Sequence, residues 1–367
     1  MPRGKTNSAN IRRAAVLLYL LGIGAGICVA LPGPAPARAD DGEAGIAMGS
    51  VEFKKSDAIS MEKEDLFISM DKVKVAFDFK NNSDQDYTTL VAFPLPEQSC
   101  YEDECESVDG RKYNLQHDPW NGFNVAVNGK KIAFQKEVKA WAGATDVTAL
   151  LAKYSVTLAG GMAALGQIEK LPDMAKSELA AAGAIKTCAL DEEATPQAQS
   201  PYCPQWRIAE KYYWQQTFPA DRITHIEHSY APVAGSGEFF GFYAEDKNLK
   251  DYCIDGATQA AIQNEYDRKQ KIYEKNPVNG ASYEGGFNTI GYILKSANTW
   301  MGPIKDFHLT IEKPKRNTYF HSLGMGVQKT FLSTCFDGLK KTAPGKFEAW
   351  RQDFTPDTDI SMIIYYE

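Results

Sequence analysis

Period-two alternation of apolar and polar residues constrains this chain more than any other feature. Val73, Val75, Phe77 and Phe79 alternate with Lys72, Lys74, Asp78 and Lys80, the pattern of a strand with one buried face. Asn81-Asn82-Ser83-Asp84 then supplies a turn. Tyr87, Thr89, Val91 and Phe93 resume the alternation until Pro94 and Pro96, which cannot continue a ladder. Asn128-Gly129 lies between two further alternating runs and suits a two-residue type I′ hairpin. In that register Val127 faces Lys130, Val125 faces Ile132 and Phe123 faces Phe134, so the apolar pairs share one face. Residues 40–140 therefore read as an N-terminal antiparallel β domain.

The pattern changes near Thr145. Asp146 is a good helix N-cap, and Val147, Leu150, Leu151 and Tyr154 follow at helical spacing. Gly160-Gly161 should break this helix. A second one, Asp173 to Ala182, should stop at Gly183, the usual C′ residue. Residues 141–205 thus read as a helical insertion followed by a polar loop. From Trp206 strands return: Tyr212, Trp214, Gln216 and Phe218, then Ile223, His225, Glu227 and Ser229. A charged helical stretch is expected near 258–275, and final strands over Thr289–Ser296, Phe307–Glu312, Lys329–Phe336 and Ile360–Tyr366. The expected fold class is mainly β: two antiparallel sandwich-like domains, 40–140 and 206–367, separated by the insertion.

The first 39 residues follow other rules. Arg3, Lys5, Arg12 and Arg13 precede an apolar run from Ala14 to Leu31, and Ala37-Arg38-Ala39 closes the segment. A charged start, an apolar middle and a small-x-small end describe a signal peptide cleaved between Ala39 and Asp40. The apolar run, about 18 residues, is at the lower limit for a membrane-spanning helix. Gly22, Gly24 and Gly26 dilute it, and breaker residues follow, so removal rather than anchoring is expected. No membrane span is expected in the mature chain, which should be periplasmic or secreted.

Cleavage removes five basic residues (Arg38 included) and no acidic one from a chain of net charge −7, so the mature protein is more acidic still. An acidic chain without basic runs lacks the clustered cations that nucleic acid requires. Of seven cysteines only Cys28 lies in the leader. Cys100, Cys105, Cys188, Cys203, Cys253 and Cys335 remain in a compartment that permits disulfides. Their connectivity is open; proximity favours 100–105, 188–203 and 253–335. The chain lacks Cys-x-x-Cys and paired metal-type His spacing, so neither zinc nor a thioredoxin-like role is expected.

Other candidate sites give way to ordinary readings. His225 and His228 tempt as a metal pair, but residues three apart on a strand face opposite ways. His117, His308 and His321 stand alone, and Glu102-Asp103-Glu104 lacks the ligand spacing of a calcium loop. The row Tyr212, Trp214 and Phe218, with Tyr202 and Trp206 nearby, could be a binding platform but reads first as core. No nucleophile elbow or phosphate loop is present. No catalytic residue, cofactor or metal is expected.

Several segments resemble a family of secreted bacterial proteins known as domain of unknown function 4424. The likeness begins at Ser56-Asp57-Ala58-Ile59-Ser60-Met61-Glu62-Lys63-Glu64-Asp65-Leu66 and continues at Asn82-Ser83-Asp84-Gln85-Asp86. Thr88-Thr89-Leu90-Val91-Ala92-Phe93-Pro94-Leu95-Pro96 and Trp214-Gln215-Gln216-Thr217-Phe218-Pro219-Ala220 extend it. The corner from Trp300 to Phe307 and Asp353-Phe354-Thr355-Pro356 complete it. The resemblance implies a β-rich secreted architecture and brings no assigned chemistry. The expected role is non-catalytic binding or envelope association, with an envelope protein or glycan as partner. The rivals are an envelope hydrolase using paired carboxylates, for example Glu227 with Asp221, and a structural partner in an envelope complex.

Overall fold

The computed structural model describes residues 42–47, 50–99, 122–159, 161–187, 202–232, 234–275, 285–314 and 329–366. The leader with its Ala39–Asp40 junction, Cys100, Cys105, Cys188, His117, His321 and the Glu102–Glu104 run lie outside them. All the described segments fall in the unit Pro36–Glu367.

The first strands are β1 (Gly42–Ala47), β2 (Ser50–Phe53), β3 (Ile59–Ser69), β4 (Val73–Asn81) and β5 (Tyr87–Pro94). β6 (Gln98–Ser99), β7 (Asn124–Val127), β8 (Lys130–Lys131), β9 (Gln135–Ala142) and β10 (Thr145–Asp146) follow. Three helices come next: α1 (Thr148–Lys153), α2 (Gly161–Glu169) and α3 (Asp173–Ala181). β11 (Ile185–Thr187) and β12 (Tyr202–Pro204) lead into the long pair β13 (Arg207–Phe218) and β14 (Ile223–Tyr230), then β15 (Ala234–Phe239). After α4 (Lys247–Asp251) and α5 (Gly256–Lys275) come β16 (Gly285–Tyr292) and β17 (Ile304–Glu312). β18 (Thr330–Thr334), β19 (Lys340–Ala343), β20 (Lys346–Phe354) and β21 (Ile360–Tyr366) close the order. The protein is mainly β with a few helices, as the alternation predicts.

One layer is an eight-stranded sheet in the order β19-β20-β17-β3-β4-β14-β7-β8. Facing it are a seven-stranded sheet built on β10-β9-β13-β5-β1-β2 and a four-stranded sheet, β15-β16-β21-β18. One continuous core joins them: Phe77, Phe79, Leu66 and Phe307 from the first, Phe93, Tyr212 and Phe218 from the second, Tyr292 and Met362 from the third. Trp300, 1% exposed, closes one side, its ring 4.6 Å from that of Phe79. Burying a side chain of this kind contributes on the order of 1.5–3 kcal/mol.

The ladders cross the domain boundary drawn from composition. β13 pairs with β5 and β9, and β14 with β4 and β7. Both large sheets therefore draw strands from each side of the helical insertion. A second departure from expectation is that β3 and β17 run parallel, with Leu66 opposite Leu309. Non-local pairing leaves no mark in a single strand's periodicity, which reports only the buried face.

Local readings fare differently. Asn128 and Gly129 have φ of 48° and 75°, as a type I′ turn requires. Val127 pairs with Lys130, Ile132 donates to the Val125 carbonyl, and Phe123 meets Phe134 at 5.1 Å. Gly183, at φ 74°, follows α3 as expected. Asp146 is one residue early for an N-cap: Val147 holds that position, and Asp146 Oδ1 accepts from the Thr148 amide. α1 ends at Lys153 rather than at Gly160-Gly161, with Ser155 already at φ 55°. The helices form a small core of their own, where Leu151, Ile168 and Leu179 meet Trp206 and the Ala140–Ala142 end of β9.

Candidate functional site

β13 shows how one strand serves two environments. Its even positions are buried: Tyr212, Trp214 and Phe218 in the core shared with the eight-stranded sheet, Ile208 against the helices, and Glu210 and Gln216 between them along the strand. The aromatic row Tyr212, Trp214, Phe218 is thus core and offers no platform. Within it Tyr212 donates a short hydrogen bond to buried Glu210, and burial followed by that carboxylate pushes its phenol far up. Trp206 is buried too, its indole N–H donating to the Leu158 carbonyl at 2.9 Å.

From Lys211 on, the odd positions of β13 face outward, and here the binary pattern reverses. Tyr213 lies opposite Ala92 on β5 and Gln135 on β9; Gln215 lies opposite Leu90. Phe53, Leu90 and Tyr213 pack on Ala92, which is 0% exposed on a face that alternation would give to solvent. The Lys211 ammonium sits over the Phe53 ring at 5.8 Å and pairs with Glu137 at 3.6 Å. Beyond Gln215, the Thr88 and Thr217 hydroxyls are 2.8 Å apart. Together Lys54, Thr88, Leu90, Gln135, Tyr213 and Gln215 line an open groove of about 460 Å³. An apolar cluster rimmed by amides and hydroxyls departs from the polar outer face usual for an antiparallel sheet. Alternation alone places Tyr213 on the polar face of the strand, with Lys211, Gln215 and Thr217. The available signal was a tyrosine and a leucine at adjacent cross-strand outward positions.

The outer face of the eight-stranded sheet carries a different arrangement. His308 Nδ1 is 3.1 Å from Asp65 and its Nε2 3.3 Å from Glu348, and the ring stacks on half-exposed Trp350 at 4.9 Å. His225 repeats the motif, Nδ1 2.7 Å from Asp78 and Nε2 3.7 Å from Glu227. Each imidazole sits between two carboxylates, so the acids do not converge on a shared point. Lys346, then Thr342, holds the Glu348 carboxyl down at about 2. Burial pushes Glu227 up, but Lys74 and then His225 outweigh it and keep that carboxyl below its ordinary range. His228, three residues on, faces inward at 1% exposure among Phe77, Phe93, Phe123 and Trp214. The two histidines face opposite ways, as strand geometry requires.

The structure does not bring the suggested carboxylate pair together. Asp221 is exposed in the β13–β14 turn at φ 50°. Glu227 lies six positions along an extended strand, about 20 Å away at the usual rise. Glycosidase carboxylates stand roughly 5–9 Å apart. Cys253 and Cys335 are joined in a disulfide, and Cys203 is also disulfide-bonded. Among the described residues no group of three or more His, Cys, Asp and Glu is placed to hold a metal ion. None of the described helices is long and apolar enough to cross a membrane.

The fold is layered and mainly β, with an open groove on the outward face of the seven-stranded sheet. The chain belongs to the family described as domain of unknown function (DUF4424), whose profile matches residues 39–363. No curated protein matches it. A crystallised Legionella pneumophila protein, described provisionally as nutrient binding, is similar at 14% identity and a TM-score of 0.38. That match covers 84% of this chain and 68% of the other.

Proposed function

We propose that this is a non-catalytic binding protein acting outside the cytoplasm, with its ligand held in the groove over β5, β9 and β13. One observation carries the reading: Phe53, Leu90 and Tyr213 form an apolar cluster on the outward face of the seven-stranded sheet, where soluble sheets place polar residues. Such a face persists when something uses it. The leader, cleaved at Ala39–Asp40, would deliver the chain to a periplasmic or extracellular site, and its disulfides suit that compartment. A hydrolase through Glu227 and Asp221 has less support, since their spacing suits no acid–base pair and Glu227 is engaged with Lys74 at 3.3 Å.

A photo-reactive amino acid placed at Gln215 tests the reading in living cells. Irradiation should yield a covalent adduct at that position, and the same probe at exposed Met174 should yield none. Equal capture at both positions, or none at Gln215, would refute a groove-bound ligand.

A further inference from the structure

We infer that the ligand of this groove is an uncharged oligosaccharide, recognised by side chains alone with a sugar face on Tyr213. The inference rests on the groove being the ligand site. It starts from the backbone beneath. At Tyr213 the ladder is continuous on both sides: Tyr213 pairs with Gln135 on β9 and Ala92 on β5, and Ala92 pairs with Gly42 on β1. Over Tyr213 the floor therefore has no free strand edge, and an extended peptide laid across that ring would keep its own amides and carbonyls unpaired. A ligand seated on Tyr213 must satisfy its polar groups on the lining side chains.

Those side chains match a sugar. Gln135 and Gln215 each offer a donor and an acceptor from one carboxamide, and Thr88 adds a hydroxyl. Sugar hydroxyls, which both donate and accept, pair with such groups in either sense. Tyr213 and Leu90 supply an apolar surface for the C–H face of a pyranose ring, with the phenol group at its edge. Of the lining residues only Lys54 is charged, whereas phosphate or nucleotide recognition calls for clustered cations or a helix N-terminus. Lys211, nearby, is already matched by Glu137 at 3.6 Å. The groove is open rather than enclosed, which suits a segment of a longer chain passing over it instead of an engulfed metabolite.

Saturation-transfer NMR on the full-length chain with cellotetraose, maltotetraose and chitotetraose decides the matter. At least one should take up saturation at its ring protons. Tyr213→Ala should weaken that sugar's binding about tenfold or more, while Tyr213→Phe retains most of it. Trp350→Ala, on the outer face of the eight-stranded sheet, should leave binding unchanged. Circular dichroism melting confirms that each variant folds. Failure of all three sugars, or binding indifferent to Tyr213→Ala, would overturn the inference. The adduct at Gln215 separates the two levels. A peptide adduct there with no sugar bound removes the saccharide and keeps the groove; no adduct and no sugar removes both.

Discussion

Cys253 and Cys335, 82 residues apart in sequence, bring their Cα atoms to 5.0 Å and tie the turn ahead of α5 to the end of β18. Between these cysteines lies α5, a 20-residue helix whose buried residues are Ile262 and Glu265. It covers Phe239, Ile363 and Tyr365 on the outer face of the four-stranded sheet. A long helix with so shallow a footprint depends on its tethers.

Removing the disulfide should therefore be costly. In the chain-entropy picture a loop of this length stabilises the fold by about 4 kcal/mol, and measured losses usually fall at 2–4 kcal/mol. Cys335→Ser should lower unfolding free energy by about that amount in urea melts. An unchanged midpoint would show that the helix is held by packing alone.

Glu265 is the second tether. It pairs with Arg268, by a short hydrogen bond, and with Lys329 at 2.7 Å; these hold its carboxyl at about 2 instead of 4.5, Arg268 contributing most. A carboxyl depressed in the folded state stabilises above its unfolded value and loses that contribution as pH falls through the folded one. The window runs from about pH 4.5 down to about 2. Because Arg268 and Lys329 are 52% and 66% exposed, solvent screening limits the effect to about 1–2 kcal/mol. The stability gap between wild type and Glu265→Gln should shrink across that window. A gap constant from pH 5 to 2 would contradict the pairing.

Asn81 is wholly buried where β4 turns toward β5. Its Nδ2 donates to the carbonyls of Gln85 and Phe218, at 2.8 and 2.9 Å, and its Oδ1 accepts from the Ser83 amide. The side chain locks the turn to the far end of β13. Truncation orphans the buried Phe218 carbonyl and removes two part-buried bonds, so Asn81→Ala should cost about 1–3 kcal/mol. A loss below about 1 kcal/mol in chemical denaturation would mean that water replaces those bonds.

The hairpin at Asn128-Gly129 separates backbone from packing effects. At Gly129 φ is 75° and a Cβ would meet nothing within 4 Å, so Gly129→Ala pays only for left-handed backbone, about 1 kcal/mol. Asn128→Gly relieves a φ of 48° but loses the Oδ1 acceptor of the His225 amide at 2.9 Å, so the two effects offset and the net change should be small. If both substitutions cost the same, side-chain contacts rather than φ govern the turn.

Legibility in the sequence follows the range of the interaction. The Asn128-Gly129 register could be written down because turn chemistry and three facing pairs all lie within a dozen residues. The opposite faces of His225 and His228 needed only strand geometry. β20 carries no strand signal of its own, because KFEAWRQDF keeps only Glu348 and Ala349 fully buried and so shows no clean alternation. Pairing of β13 with β5 and of β17 with β3 depends on residues more than a hundred positions away. The groove becomes legible only once the strand pairing is known. Tyr213 matters because Leu90, Ala92 and Phe53 come to lie beside it, and no window on β13 contains them. The aromatics that caught the eye, Tyr212 and Trp214, flank it and point the other way.

The parallel pairing of β3 with β17 also sets a timetable. Asp65 cannot meet His308, nor Leu66 meet Leu309, until residue 312 of 367 has emerged from whatever delivers the chain. Until then β3 presents one unfilled edge of a hydrophobic strand, the kind that recruits strangers. A nascent chain of this protein has to be kept from premature company for nearly its whole length. Any truncation ending before Ile304 should accordingly precipitate rather than yield a smaller working domain.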